Sequence, residues 1–206
     1  MRISDNLIDD IANAPEWFFN AIKIEPTECE IKNQKGNLSY SKWVCDPKNK
    51  NLLIFIHGTG AHKKWWYPIA PHFIENSNVI AVDLPGMGDS GFREKYSIKD
   101  FGQCIISIIE KEKLNMSIDS VFIVGHSLGG QVAAYVASEK KDLVSSLIMI
   151  DTFIRPPDWD PSEHGSGPLR MIKYYPDKTT ILKRFRLLPE QELSLIHISE
   201  PTRQLQ

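Results

Sequence analysis

A serine stands between glycines in Gly125-His-Ser-Leu-Gly129, directly after the apolar run Val121-Phe-Ile-Val124 and ahead of Gln131-Val-Ala-Ala-Tyr-Val-Ala-Ser138. The apolar run reads as a short buried strand and the later segment as a helix of good helix formers, so Ser127 falls on the sharp turn between them. A serine at such a crest must take a strained backbone conformation, which leaves little room for side chains two residues to either side. Gly125 and Gly129 supply that room, and Gly130 would let the start of the helix pack closely on the sheet. The turn presents the Ser127 hydroxyl to solvent and aims the first free N–H groups of the helix near a reacting carbonyl. The chemistry such a serine could do is acyl transfer. The hydroxyl attacks, a histidine takes its proton, and water hydrolyses the acyl intermediate. The plainer alternative is a glycine-rich turn before an amphipathic helix.

Other residues compete for roles. His57-Gly-Thr-Gly60 follows the apolar run Leu52-Leu-Ile-Phe-Ile56. A glycine-rich loop past a central strand can bring a backbone N–H close to a ligand oxygen. His57 is expected to prop up that loop rather than titrate against substrate. Asp83 and Asp89, in Asp83-Leu-Pro-Gly-Met-Gly-Asp-Ser90, are expected to hydrogen-bond within a tight turn. Asp151, after Val144-Ser-Ser-Leu-Ile-Met-Ile150, is a strand-end carboxylate that could cap a turn. Trp65, Trp66, Phe153, Ile154 and Trp159 could line a pocket for an apolar acyl or alcohol group, or could simply pack.

These residues must be carried by regular elements. Residues 5–23 read as an amphipathic helix, and 28–32 and 38–44 as antiparallel strands joined through the turn-rich Asn33-Gln-Lys-Gly36. Strands are predicted at 52–56, 78–83, 120–124 and 144–150, and the continuous apolar run at 52–56 is that of a strand covered on both faces. Between them, a helix is predicted from the region of Lys63 to about Asn76, and a second from the capping box Ser97-Ile-Lys-Asp100 to about Leu114. A third follows Ser127 to about Lys140. Strands alternating with helices after residue 51 predict a mostly parallel sheet with helices on both faces. In such sheets chemistry gathers at the carboxyl ends of the strands, where His57-Gly-Thr-Gly60, Asp83, Ser127 and Asp151 all fall.

The composition excludes several classes. With 206 residues, 42% of them hydrophobic, the chain can bury one real core. A net charge of −2 without a basic block gives no footprint for nucleic acid. No apolar stretch approaches a membrane span, and the first residues lack the apolar run of a signal peptide. Cys29, Cys45 and Cys104 lack metal-ligand spacing and read as thiols in a reducing cytosol. The expectation is a cytoplasmic protein with a small-molecule substrate and no cofactor or metal.

His57-Gly-Thr-Gly60, Asp83-Leu-Pro-Gly-Met-Gly-Asp-Ser90 and Gly125-His-Ser-Leu-Gly-Gly130 together resemble the α/β-hydrolase family, in family order and at family-like spacing. The resemblance covers roughly residues 28–151. It implies Ser127 as nucleophile, the backbone N–H groups of Thr59 and Leu128 as an oxyanion hole, Asp151 as a candidate triad acid where it does not merely cap a turn, and a cap beginning after Asp151. Relatives that open epoxides or remove halides carry aspartate at the elbow. Serine points instead to esters, thioesters, amides or carbon–carbon bonds of diketones. The resemblance also allows a non-enzymatic ligand-binding member of the fold, or an acyltransferase.

The pattern departs from the family after Ser127, where only His164 and His197 remain as bases. His164 sits in a Pro/Gly/Ser-rich stretch that reads as cap, and His197 lies in Leu193-Ser-Leu-Ile-His-Ile-Ser-Glu-Pro-Thr-Arg203, which resembles a translated sequencing adapter. The expected organisation is a hydrolase core over residues 1–151, the start of a cap over 152–192 and a foreign tail over 193–206. Further strands and the catalytic histidine are expected to be missing. Asp158, Asp160 and Glu163 are weaker acid candidates in the cap. The strand ending at Asp151 is then an open sheet edge. The chain expressed as written is therefore expected to be insoluble or partly folded and inactive. Soluble protein with cooperative unfolding and esterase turnover would contradict this.

Overall fold

The computed structural model describes residues 14–33 and 36–154. One compact unit comprises Ala14–Thr152, and a second gathers Met1–Asn13 with Phe153–Gln206. The regular elements of the described residues lie in the first unit. The expected helical residues 5–13, the expected cap from residue 155 and the tail lie outside the described residues. So do His164, His197, Trp159, Asp158, Asp160 and Glu163.

The sheet is built from β1 (Thr27–Asn33), β2 (Gly36–Trp43), β3 (Asn51–Ile56), β4 (Asn78–Val82), β5 (Ser120–His126) and β6 (Ser146–Ile150), in spatial order β1-β2-β4-β3-β5-β6. β1 and β2 pair antiparallel, as do β2 and β4, whereas β4, β3, β5 and β6 run parallel to one another. The helices are α1 (Glu16–Ile22), α2 (Ile98–Asn115) and α3 (Leu128–Glu139). This is the mostly parallel α/β sheet that the alternating pattern implies.

The run Leu52–Ile56 explains why the core has two sides. Successive side chains of a strand point to opposite faces. Leu52, Ile54 and Ile56 therefore join Ile105, Ile109, Val132 and Val136 of α2 and α3 on one face. Leu53 and Phe55 turn to Trp43, Ala70, Val79 and Ala81 on the other. α2 starts where its sequence says it should: Ser97 Oγ accepts the Asp100 N–H at 3.1 Å and donates to the Asp100 carboxylate at 2.5 Å. Inside the α2 face, the buried Glu112 is satisfied by the Tyr40 hydroxyl at 2.6 Å and by Lys42 Nζ at 2.9 Å. That pairing lets a carboxylate sit in an apolar layer.

One expectation needs correction. The predicted helix from Lys63 toward Asn76 is two short 3₁₀ segments, Lys63–Trp66 and Ala70–Phe73. Pro68 and Pro71 are the reason, since neither can donate an N–H to a helix ladder. The strand at 144–150 is β6, paired only with β5 among the described residues, and Ile148, Met149 and Ile150 are each more than two-fifths exposed, which fits the open sheet edge expected there.

Candidate active site

The parallel strands β3, β4 and β5 end in the three motif segments, and the elbow is the tightest of them. Ser127 has φ 51° and ψ −115°, a region an L-residue enters only under constraint. Its N–H donates to Ile150 O at 2.9 Å, which fastens the crest to the end of β6. Ser127 O accepts the Gly130 N–H at 3.0 Å and so begins α3. The glycines divide the crowding among them. A Cβ on Gly125 would lie 2.6 Å from Gly130 Cα and closer still to the Gly129 carbonyl, and one on Gly129 would lie 2.7 Å from His57 O. Both positions thus match the reading from sequence. Gly130 differs: a Cβ there would strike the Thr152 side chain rather than the sheet. Thr152 Oγ1 in turn donates toward Ile150 O at 3.0 Å and Ser127 O at 3.3 Å.

The loop after β3 comes up against this crest. A Cβ on Gly58 would lie 2.8 Å from His126 Nδ1 and 3.2 Å from Ser127 Cβ, so the loop backbone passes directly beside the serine. Gly58 to Ala61 form a turn closed by the Ala61 N–H on Gly58 O at 3.2 Å, with Gly60 at φ +72°. Thr59 is exposed at its tip. Among the described residues no hydrogen bond occupies the N–H of Thr59 or of Leu128, the first residue of α3.

His57 is buried, its Nε2 accepting the Leu84 N–H at 3.1 Å and its Nδ1 standing 2.8 Å from Gly58 O. With the Nε2 lone pair engaged, Nδ1 carries the proton and donates to the carbonyl. A base has no lone pair to offer in that arrangement, and the histidine joins the two motif loops instead.

Asp83 and Asp89 likewise belong to the loops. Asp83 is buried, and its carboxylate accepts the N–H groups of Lys63 at 2.7 Å and Asp89 at 2.8 Å. Burial pushes the Asp83 carboxyl up despite those donors. Gly88 must lack a Cβ because one would run into this carboxylate. The Asp89 carboxyl is held down chiefly by its hydrogen bond with Lys63.

Lys63 is the residue sequence reasoning missed. Only 1% exposed, it places Nζ 2.9 Å from Glu28 Oε2, 2.9 Å from Asp89 Oδ2, 3.5 Å from Asp83 Oδ2 and 2.5 Å from Ser39 Oγ. Burial alone would lower its pKa, but Glu28, Asp89 and Asp83 outweigh it and raise the pKa above the ordinary lysine value. No periodicity separates Lys63 from the exposed Lys64 beside it.

Asp151, directly after the Ile150 carbonyl that holds Ser127, takes φ 45°, with its side chain 90% exposed and Oδ2 4.0 Å from His126 Nε2. Trp66 stacks on Phe55 with centroids 4.7 Å apart and so belongs to the packing under the sheet. Among the described residues no group of His, Cys, Asp and Glu could hold a metal ion, and no helix is long and apolar enough to cross a membrane.

A family model of the alpha/beta hydrolase fold matches residues 51–183, more than half of the chain, and the chain belongs to that family. It is 31% identical over 112 residues to a pimeloyl-[acyl-carrier protein] methyl ester esterase of Pseudoalteromonas atlantica, covering 52% of this chain and 40% of that protein. It is 32% identical over 104 residues to a soluble epoxide hydrolase of a Corynebacterium species, covering 48% of this chain and 34% of the relative. The fold also matches the crystal structure of a bacterial membrane phospholipase A, with a TM-score of 0.64, 22% identity, and coverage of 94% of this chain and 60% of that one. The chain thus spans about two-fifths or less of the length of these curated relatives. Hydrolase chemistry is what the two curated relatives have in common.

The crowding at the elbow has a measurable consequence. In the full-length protein, Gly125→Ala should lower the free energy of unfolding by about 3 kcal/mol or more, because backbone must move to admit the methyl group. Gly60→Ala, where a Cβ meets nothing within 4 Å, should lose only the roughly 1–2 kcal/mol of the left-handed backbone. Denaturant unfolding of both variants checks the order.

Proposed function

We propose that the protein is a serine hydrolase acting by acyl transfer on an ester, thioester, amide or carbon–carbon bond of a small, apolar substrate. The observation that carries this reading is the conformation of Ser127. A strained serine at the head of a helix, beside a loop whose Thr59 N–H carries no hydrogen bond among the described residues, is the arrangement in which an attacking hydroxyl and two oxyanion donors can meet one carbonyl. The relatives include an esterase and an epoxide hydrolase, so hydrolysis is common ground, and serine at position 127 is what favours the acyl route.

In this mechanism the Ser127 hydroxyl adds to the carbonyl carbon and passes its proton to a histidine. The negative charge that forms on the carbonyl oxygen is met by the N–H groups of Leu128 and Thr59. The tetrahedral intermediate collapses, the histidine protonates the leaving group, and water attacks the acyl-serine in the reverse sequence. Removing one such donor costs about 3 kcal/mol of transition-state stabilisation. Asp151 is the proposed acid. Its place one residue after the carbonyl that binds Ser127 N–H favours the assignment, and its exposure marks a group that a histidine can reach.

A fluorophosphonate probe on the full-length protein tests the nucleophile: covalent labelling is expected in the wild type and lost in Ser127→Ala. A folded wild type that does not label would favour a ligand-binding role instead. Asp151→Asn is expected to reduce ester turnover on the order of 10⁴-fold, as for an asparagine that leaves the histidine in the wrong tautomer. A variant within tenfold of wild type would remove Asp151 from the triad.

A further inference from the structure

We infer that Lys63 is a positioning residue for the oxyanion hole: it ties the end of the Gly58–Ala61 turn to the Asp83–Asp89 loop and so fixes the height of the Thr59 N–H beside Ser127. The inference rests on the serine-hydrolase reading and deepens it.

The turn has two attachments, one on each side of Thr59. Before it, His57 Nε2 holds the Leu84 N–H at 3.1 Å. After it, the Lys63 backbone N–H donates to Asp83 Oδ1 at 2.7 Å, and Lys63 Nζ reaches Asp83 Oδ2 at 3.5 Å and Asp89 Oδ2 at 2.9 Å. Both attachments end on the same neighbouring loop. Thr59 and Gly60 are exposed between them, and Gly58 rests against Ser127, 3.2 Å from its Cβ to a Cβ built on the glycine. Such a turn has no side-chain packing of its own at its tip, so its height is set by its two ends.

The second attachment depends on charge. Asp83 is buried, and an uncompensated carboxylate there is costly. Lys63 is the cation shared by Asp83, Asp89 and Glu28. Without its ammonium, Asp83 and Asp89 repel, and the loop that receives both ends of the turn must spread. Glu28 comes from β1 and adds charge, but it is part of neither loop. A displacement of an oxyanion donor by about 1 Å is enough to cost on the order of 10²-fold in rate. It does so in the transition state, where the charge on oxygen is greatest, and leaves ground-state binding nearly untouched.

The test uses the full-length protein with p-nitrophenyl acetate as acyl probe and amide hydrogen exchange as an independent readout. Lys63→Met is expected to lower kcat on the order of 10²-fold with KM within about twofold, and to raise exchange in residues 58–62. Asp89→Asn and Glu28→Gln each remove one carboxylate at 2.9 Å from Nζ, and each leaves Lys63 paired, so both should fold even if Lys63→Met does not. Asp89→Asn is expected to lower kcat several-fold at constant KM and to raise exchange in 58–62, whereas Glu28→Gln changes neither. Equal effects of these two variants, or unchanged exchange in a folded Lys63→Met, overturn the inference. A wild type without ester turnover sinks the enzyme reading and the oxyanion role with it. Exchange in Asp89→Asn against Glu28→Gln then tells that failure apart from a failure of the anchor.

Discussion

A serine backbone at φ 51° and ψ −115° is strained by on the order of 1–3 kcal/mol, and the end of the sheet is arranged to hold it there. Ile150 O takes its N–H, Gly125 and Gly129 clear the space on either side, and Thr152 closes the gap that Gly130 leaves. The Ile150 and Thr152 contacts come from the end of β6 and form only when β5 and β6 are in register. The parallel pairing of His126 with Ile150 supplies that register. The strain is thereby the visible trace of a constraint, because no local preference of the sequence would produce it.

The same end of the sheet shows how two loops can be stiffened without regular structure. The loop after β3 and the loop after β4 exchange hydrogen bonds at His57–Leu84 and Lys63–Asp83, and Asp83 also takes the Asp89 N–H. Buried polar groups are stabilising only when each has its partners. Here a neutral histidine, a carboxylate and an ammonium satisfy backbone donors and one another. Exposed Thr59 and Gly60 can then stand in a fixed place while lacking packing of their own.

Much of this was legible before the coordinates. The apolar runs at 52–56 and 121–124 and the serine among glycines mark β3, β5 and the crest, because burial on both faces and a crowded turn leave direct marks on residue type. His57, Asp83 and Asp89 are read as loop supports, and their hydrogen bonds agree with that. The failures have physical causes. The helix expected after Lys63 gives way to two 3₁₀ segments because Pro68 and Pro71 lack the N–H that a helix ladder needs, a signal that stands in the sequence itself. The exposure of β6 follows the open edge expected there, since burial of an apolar strand depends on neighbours that hydropathy does not report. Lys63 left no signal because its partners lie on β1, β2 and the loop after β4, and only tertiary structure brings them together.

In the proposed mechanism the backbone at residue 127 places a reacting oxygen under two main-chain donors. A crystal structure of the full-length protein phosphonylated at that serine measures this directly. The phosphonyl oxygen is expected at about 2.7–3.1 Å from the nitrogens of both Leu128 and Thr59, with the left-handed φ of the serine retained. A phosphonyl oxygen turned to solvent, or a residue 127 relaxed into the ordinary helical region, would contradict it.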